Sequence, residues 1–122
     1  MAAYRGAAPS VALTAGELDR RLTLQRATVG ADALNSPTMT WGTLATVWGS
    51  KEPISDGERI AAMERGADIT TRFQIRYSKA VADINPKDRV VDELGKTYVI
   101  VGVKEIGRLV GFEITATVRT DI

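Results

Sequence analysis

The sequence predicts a mainly β protein, a small antiparallel β-barrel of five to seven short strands with one inserted α-helix. Three observations predict it. In residues 69–77, Ile69, Thr71, Phe73, Ile75 and Tyr77 alternate with Thr70, Arg72, Gln74 and Arg76, the period of a half-buried strand. Residues 99–118 carry two further alternating runs on either side of Gly107 and Arg108, a pair suited to a two-residue hairpin turn. The helix signal at residues 55–66 stands alone, so the strand–helix–strand succession of a parallel sheet is missing. Closing the sheet into a barrel removes the edges that short strands would otherwise expose.

Taken in order, residues 1–13 are small, Ala-rich and aperiodic, and read as a flexible N-terminal arm that can order against a neighbouring subunit. Residues 14–122 read as one barrel domain. Thr14 and Glu17 have the spacing of a capping pair and suggest a brief helical turn. In residues 20–26, Leu22 and Leu24 face one way and Arg21, Thr23 and Gln25 the other, a half-buried strand. Residues 28–37, with Gly30, Asp32, Asn35, Ser36 and Pro37, read as a loop of unusual length. Strands are expected at 38–41 and 44–52, the second ending at Pro53, which has no amide to donate. Ser55 and Glu58 form a capping-box pair, and a helix is expected over about 56–65, ended by Gly66. Met63 and Ile60 are expected to pack on the barrel. After the strand at 69–77, residues 78–88 are irregular, 89–92 a short strand and 93–96 a turn. Pairing Ile106 with Leu109 would set Val103 opposite Phe112, Val101 opposite Ile114 and Val99 opposite Ala116, all on the core face.

Composition removes much chemistry. The chain of 122 residues contains no cysteine and no histidine, so disulfides, thiolate sites and the commonest general base are excluded. Glu58, Glu64, Asp68 and Asp92 select no acid–base pair, Ser50, Ser55 and Ser78 have no histidine to activate them, and Asp83 and Asp88 lack calcium-loop spacing. The reading is a non-enzyme that needs no cofactor and no metal. Sixteen basic and fifteen acidic residues give +1, not the footprint of a strong nucleic-acid binder. No signal peptide is recognised and no run reaches the roughly 18 apolar residues of a membrane span.

Four segments carry a family resemblance: Gly16, Glu17, Leu18 and Arg21 at the opening, Val47 and Trp48 leading to Pro53, Phe73, Ile75, Arg76 and Tyr77 in a strand, and Pro86, Arg89 and Val90 beyond it. Spread in order over about residues 15–105, they resemble the head-tail adaptor and head-closure (stopper) proteins of long-tailed phages and gene-transfer particles. The resemblance implies a structural virion protein. It would form a homo-oligomeric ring, six- or twelve-fold, in the neck at the head–tail interface, after synthesis in the host cytoplasm. A portal–adaptor ring would lie above it, a tail terminator or tail tube below, and packaged double-stranded DNA in the channel, which the 29–38 or 78–88 loop would narrow.

Candidate contact residues follow from the surface pattern. Val11 and Leu13 would add buried area at a subunit contact. Arg72, Arg76, Lys79 and Lys87 would face DNA phosphates or a partner's carboxylates. Trp41 and Trp48 are candidate interface anchors, Trp48 the one carried forward, although core packing is the simpler reading of both. The rival reading is a small β-barrel nucleic-acid-binding module, which would show aromatics beside the arginines; Phe73 and Tyr77 alternate away from them.

Overall fold

A computed structural model describes residue 13 and residues 15–119. After a 3-10 turn (Ala15–Glu17), six antiparallel strands and one helix follow: β1 (Arg20–Ala31), β2 (Pro37–Pro53), α1 (Asp56–Glu64), β3 (Thr71–Arg76), β4 (Arg89–Val91), β5 (Thr97–Ile106) and β6 (Gly111–Val118). The sheet closes on itself in the order β1-β2-β3-β6-β5-β4. Alternation decides what lies inside. Leu22 and Leu24 of β1, Phe73 and Ile75 of β3, Val90 of β4, Tyr98 and Ile100 of β5 and Phe112, Ile114 and Ala116 of β6 form one core, with Val81 and Ile84 closing it from the β3–β4 connection. Phe73 meets Tyr98 edge-on at 5.0 Å between ring centroids.

Helix α1 begins as its sequence dictates. The Ser55 hydroxyl accepts the Glu58 amide at 3.3 Å, while the Glu58 carboxylate turns away to Arg72. At the other end Ala67 N–H donates to Ala62 O and Gly66 N–H to Met63 O, with Gly66 at φ +82°, the bonding of a Schellman motif. The helix face on the sheet is narrower than expected. Ala62 packs with Ile54 and Ile69, whereas Ile60 and Met63 are exposed. The small alanine, not the larger pair, occupies the contact.

Other expectations are corrected as well. Residues 28–37 are no loop: β1 and β2 continue as a two-stranded ribbon, Ala27 opposite Trp41 and Ala31 opposite Pro37, and the two strands expected at 38–41 and 44–52 are one. A bulge at Leu44 joins them, since Leu24 faces Ala45 but Gln25 faces Thr43. In the β5–β6 hairpin, Ile106 pairs with Gly111 rather than Leu109, around a wider turn with Gly107 and Leu109 at positive φ. A bulge at Val101 then reverses the inward parity: Ile100 faces Ala116 and Tyr98 faces Val118, so Val99 and Val101 point outward. Trp48 is not core either. It lies opposite Arg21 on the outer face, next to Val47, which pairs with the buried Leu22.

Candidate functional site

Two clefts form where the barrel opens to release the ribbon. Strand β2 pairs with β3 only from Gly49 onward, opposite Ile75, and β1 pairs with β4 only at Thr23, Leu24 and Gln25. Beyond these points the ribbon leaves its neighbours, and a cleft opens on each side. The cleft towards β3 has a volume of about 570 Å³ and is lined by Leu18, Arg21, Val47, Trp48, Arg76 and Tyr77. Trp48 is 55% exposed there, with the Arg21 guanidinium 4.9 Å from its ring centre. Tyr77 packs towards Phe112. The cleft towards β4 includes Val29, Met39, Trp41 and Lys87, and the Arg89 guanidinium lies 4.1 Å over Trp41.

The structure separates the candidate residues by what already holds them. Arg72 donates to the Glu58 carboxylate, and its Nε lies 3.5 Å from Glu113. The bond to Glu58 raises its pKa against the cost of burial, which keeps the charge but commits it within the chain. Arg76 donates to the Leu13 carbonyl at 2.9 Å, so Leu13 is tied to the end of β3. Lys79 and Lys87 are exposed on the β3–β4 connection. Val11 lies outside the described residues. Trp48 and Arg76 therefore line one cleft, with Leu13 bonded to Arg76, Lys79 and Lys87 stand on a separate segment, and Arg72 belongs to the helix–sheet contact.

Two ionic clusters brace this surface. Arg26 Nε and Nη2 each bond the buried Asp88 carboxylate at 2.9 Å, and Nη1 bonds Asp83 at 2.8 Å. The bonds to Asp88 and Asp83 raise the Arg26 pKa, and Arg26 holds Asp83 below the usual carboxylate range. This fork clamps the irregular connection onto β1. At the opposite end of β4, Asp92 is buried against Lys51 Nζ and the Tyr98 hydroxyl, both at 3.0 Å. It also accepts the Leu94 and Lys96 amides, both at 2.9 Å. Burial pushes the Asp92 pKa up, but the bonds from Lys51, the Lys96 amide and Tyr98 outweigh it and the net shift is down. These groups are spent on one another. Among the described residues no three of His, Cys, Asp and Glu are grouped to hold a metal ion.

The strongest contact features missed by sequence reasoning are Val29, Leu34 and Met39 on the ribbon, 71%, 86% and 61% exposed. A signal for them exists. Asp32, Leu34, Asn35 and Ser36 have the same spacing as Asp92, Leu94, Gly95 and Lys96, and the two aspartates cap their turns with equivalent bonds. The second turn joins two strands, so the first should too.

No curated protein matches the chain. Among solved structures it is similar to the solution structure of protein SF1141 from Shigella flexneri 2a, at 27% identity and TM-score 0.70, over 90% of this chain and 100% of that one. It is also similar in fold to a chain of the virion of the native gene transfer agent particle, at 19% identity and TM-score 0.51, covering 81% and 92%. A family model matches most of the chain as well: the phage head completion protein model covers residues 13–119, so this chain belongs to the phage head completion protein family.

Proposed function

We propose that this protein is a head-closure component of the virion neck. It assembles as a ring beneath the portal–adaptor complex once DNA is packaged, retains that DNA, and presents a surface to a tail terminator or tail tube. Family membership supports closure of the head as the task. The likeness to a chain of the gene transfer agent virion fits a place in a particle. The observation that carries the ring is the distribution of exposed apolar groups. Trp48 at the β3 cleft, Ile60 and Met63 on α1, and Val29, Leu34 and Met39 on the ribbon are exposed on different elements of the chain. Rings close through unlike patches on one chain, so several separate patches are what a ring member needs. Leu13 and Arg76 would join Trp48 in a subunit contact, with Val11 extending it, while Lys79 and Lys87 supply charge towards DNA or a partner's carboxylates.

The rival nucleic-acid module finds less support. Phe73 is fully buried, and Arg72 is matched by two carboxylates of its own chain. The test is removal of the gene product from producing cells. Electron microscopy should show filled or emptied heads and complete tails lying unjoined. Accumulation of unpackaged precursor heads would instead place the defect before closure and refute the proposal.

A further inference from the structure

We infer that the β1–β2 ribbon is the element through which neighbouring copies join, edge to edge, so that β2 of one copy pairs with β1 of the next. This inference rests on the ring reading above and adds the contact that builds it. Three observations point to it.

The first is backbone. Among the described residues, 26–31 of β1 pair only with 37–42 of β2, and 43–48 of β2 pair only with 21–25 of β1, so the outer edge of β1 over 26–31 and that of β2 over 37–48 meet no other strand. Each therefore presents a row of amides and carbonyls to the outside, the template on which another strand adds. The second is composition. From residue 27 to residue 50 the only charged side chain is Asp32, and its carboxylate is used on the Leu34 and Ser36 amides of its own turn. Apart from Pro37 at the tip, the ribbon lacks the lysines that normally guard a free edge. DNA is a poor occupant for the same reason, since residues 27–50 carry no cation to meet phosphate and Arg26 at the base is bonded to Asp83 and Asp88. The third is the side-chain pattern. Ala27 opposite Trp41, Val29 opposite Met39 and Ala31 opposite Pro37 make one face apolar, while Thr28 opposite Thr40 and Gly30 opposite Thr38 make the other polar.

A second copy satisfies all three together. Rotation about a ring axis keeps every ribbon pointing the same way, so β2 of one copy meets β1 of the next antiparallel, continuing the pairing inside each ribbon. Polar face continues into polar face and apolar into apolar, without any new register requirement on parity.

The absence of native cysteine makes the test clean. Producing cells would carry a mixture of Thr28→Cys chains with Thr38→Cys, Thr40→Cys or Gly42→Cys chains, the three covering alternative registers on the polar face. Each chain has a single thiol, so no disulfide can form within a ribbon. Oxidised particles should contain a disulfide-linked dimer of this chain in one of the mixtures and in none of the unmixed controls. Dimers in the Thr28→Cys control would show a symmetric contact and overturn the head-to-tail pairing. Multiple copies in the neck without mixed dimers in any mixture would overturn the inference and leave the ring reading intact. A single copy per neck would overturn both. As a second readout, Val29→Lys combined with Met39→Lys should leave the melting curve of the free chain unchanged and abolish incorporation into particles; retained incorporation would count against the ribbon.

Discussion

At the scale of single residues, space and charge decide what can change. Gly111 sits opposite Arg76, and a Cβ added there would press on the Ile75 carbonyl and lie 2.6 Å from Leu13 Cδ1. Gly111→Ala should therefore cost about 1–3 kcal/mol through forced separation of β3 and β6. Gly102, with nothing within 4 Å of its added Cβ, is the control, and Gly102→Ala should move the melting midpoint little. Asp92 poses a different question. Its pKa is lowered in the folded chain, so its contribution is complete above the unfolded value of roughly 3.9 and is lost as pH falls through the folded one. Lys51 and Tyr98 are both raised, Lys51 by Tyr98 and Asp92 against burial and Tyr98 chiefly by burial. Their contribution is complete below their unfolded values near 10 and is lost as pH rises through the folded ones. Asp92→Asn preserves an acceptor for the turn but strands the Lys51 ammonium, and should cost about 3 kcal/mol at neutral pH, less whatever water Lys51 recruits. Adding Lys51→Met should recover most of that loss. Denaturant midpoints of the single and double variants check this, and a double variant no more stable than Asp92→Asn would show that charge pairing is not what holds the site.

At the scale of elements, the sequence was most readable where one rule acted alone. Strand β3 follows strict alternation and its buried set is the one that alternation predicts, Ile69, Thr71, Phe73 and Ile75. Helix α1 was readable from Ser55, Glu58 and Gly66 because caps are local chemistry. The β5 strand was misread because Val99, Val101 and Val103 look like one inward row. The extra residue at Val101 belongs to the backbone of the pair and leaves no mark on β-branched side chains. The ribbon was misread for the opposite reason: every residue from 28 to 40 is exposed, so burial imposes no alternation to detect. Trp48 follows from parity once Leu22 is known to face Val47, but that pairing is long-range and no local pattern announces it. Despite the changed register, Phe112 remains in the core, packed towards Tyr77. Phe112→Asp should thus unfold the domain, since an unpaired carboxylate there costs several kcal/mol of a total near 5–15. Arg108→Asn, in the exposed turn, should be almost silent. Equal melting temperatures for the two would mean that β6 does not face inward as described.

At the scale of the whole molecule, the exposed apolar groups set a limit on when copies can associate. If the proposed ring closes a filled head, a ring formed early would have to be threaded onto that head, so contacts between free copies are expected to be weak. The geometry fits that requirement. The free edge of β1 spans only residues 26–31, which offers few backbone bonds and a contact below the size of stable pairs. A templating ring would raise the effective concentration of neighbours and turn such contacts into a stable closure without any new one being made. The purified chain should accordingly sediment near its 13.2 kDa monomer mass at micromolar concentration. Association should grow as concentration is raised, and grow less for the Val29→Lys, Met39→Lys variant. Sedimentation equilibrium over a concentration series measures both. A stable ring at micromolar concentration would show that neighbours need no template, and assembly order would then have to be enforced by something other than weak contacts.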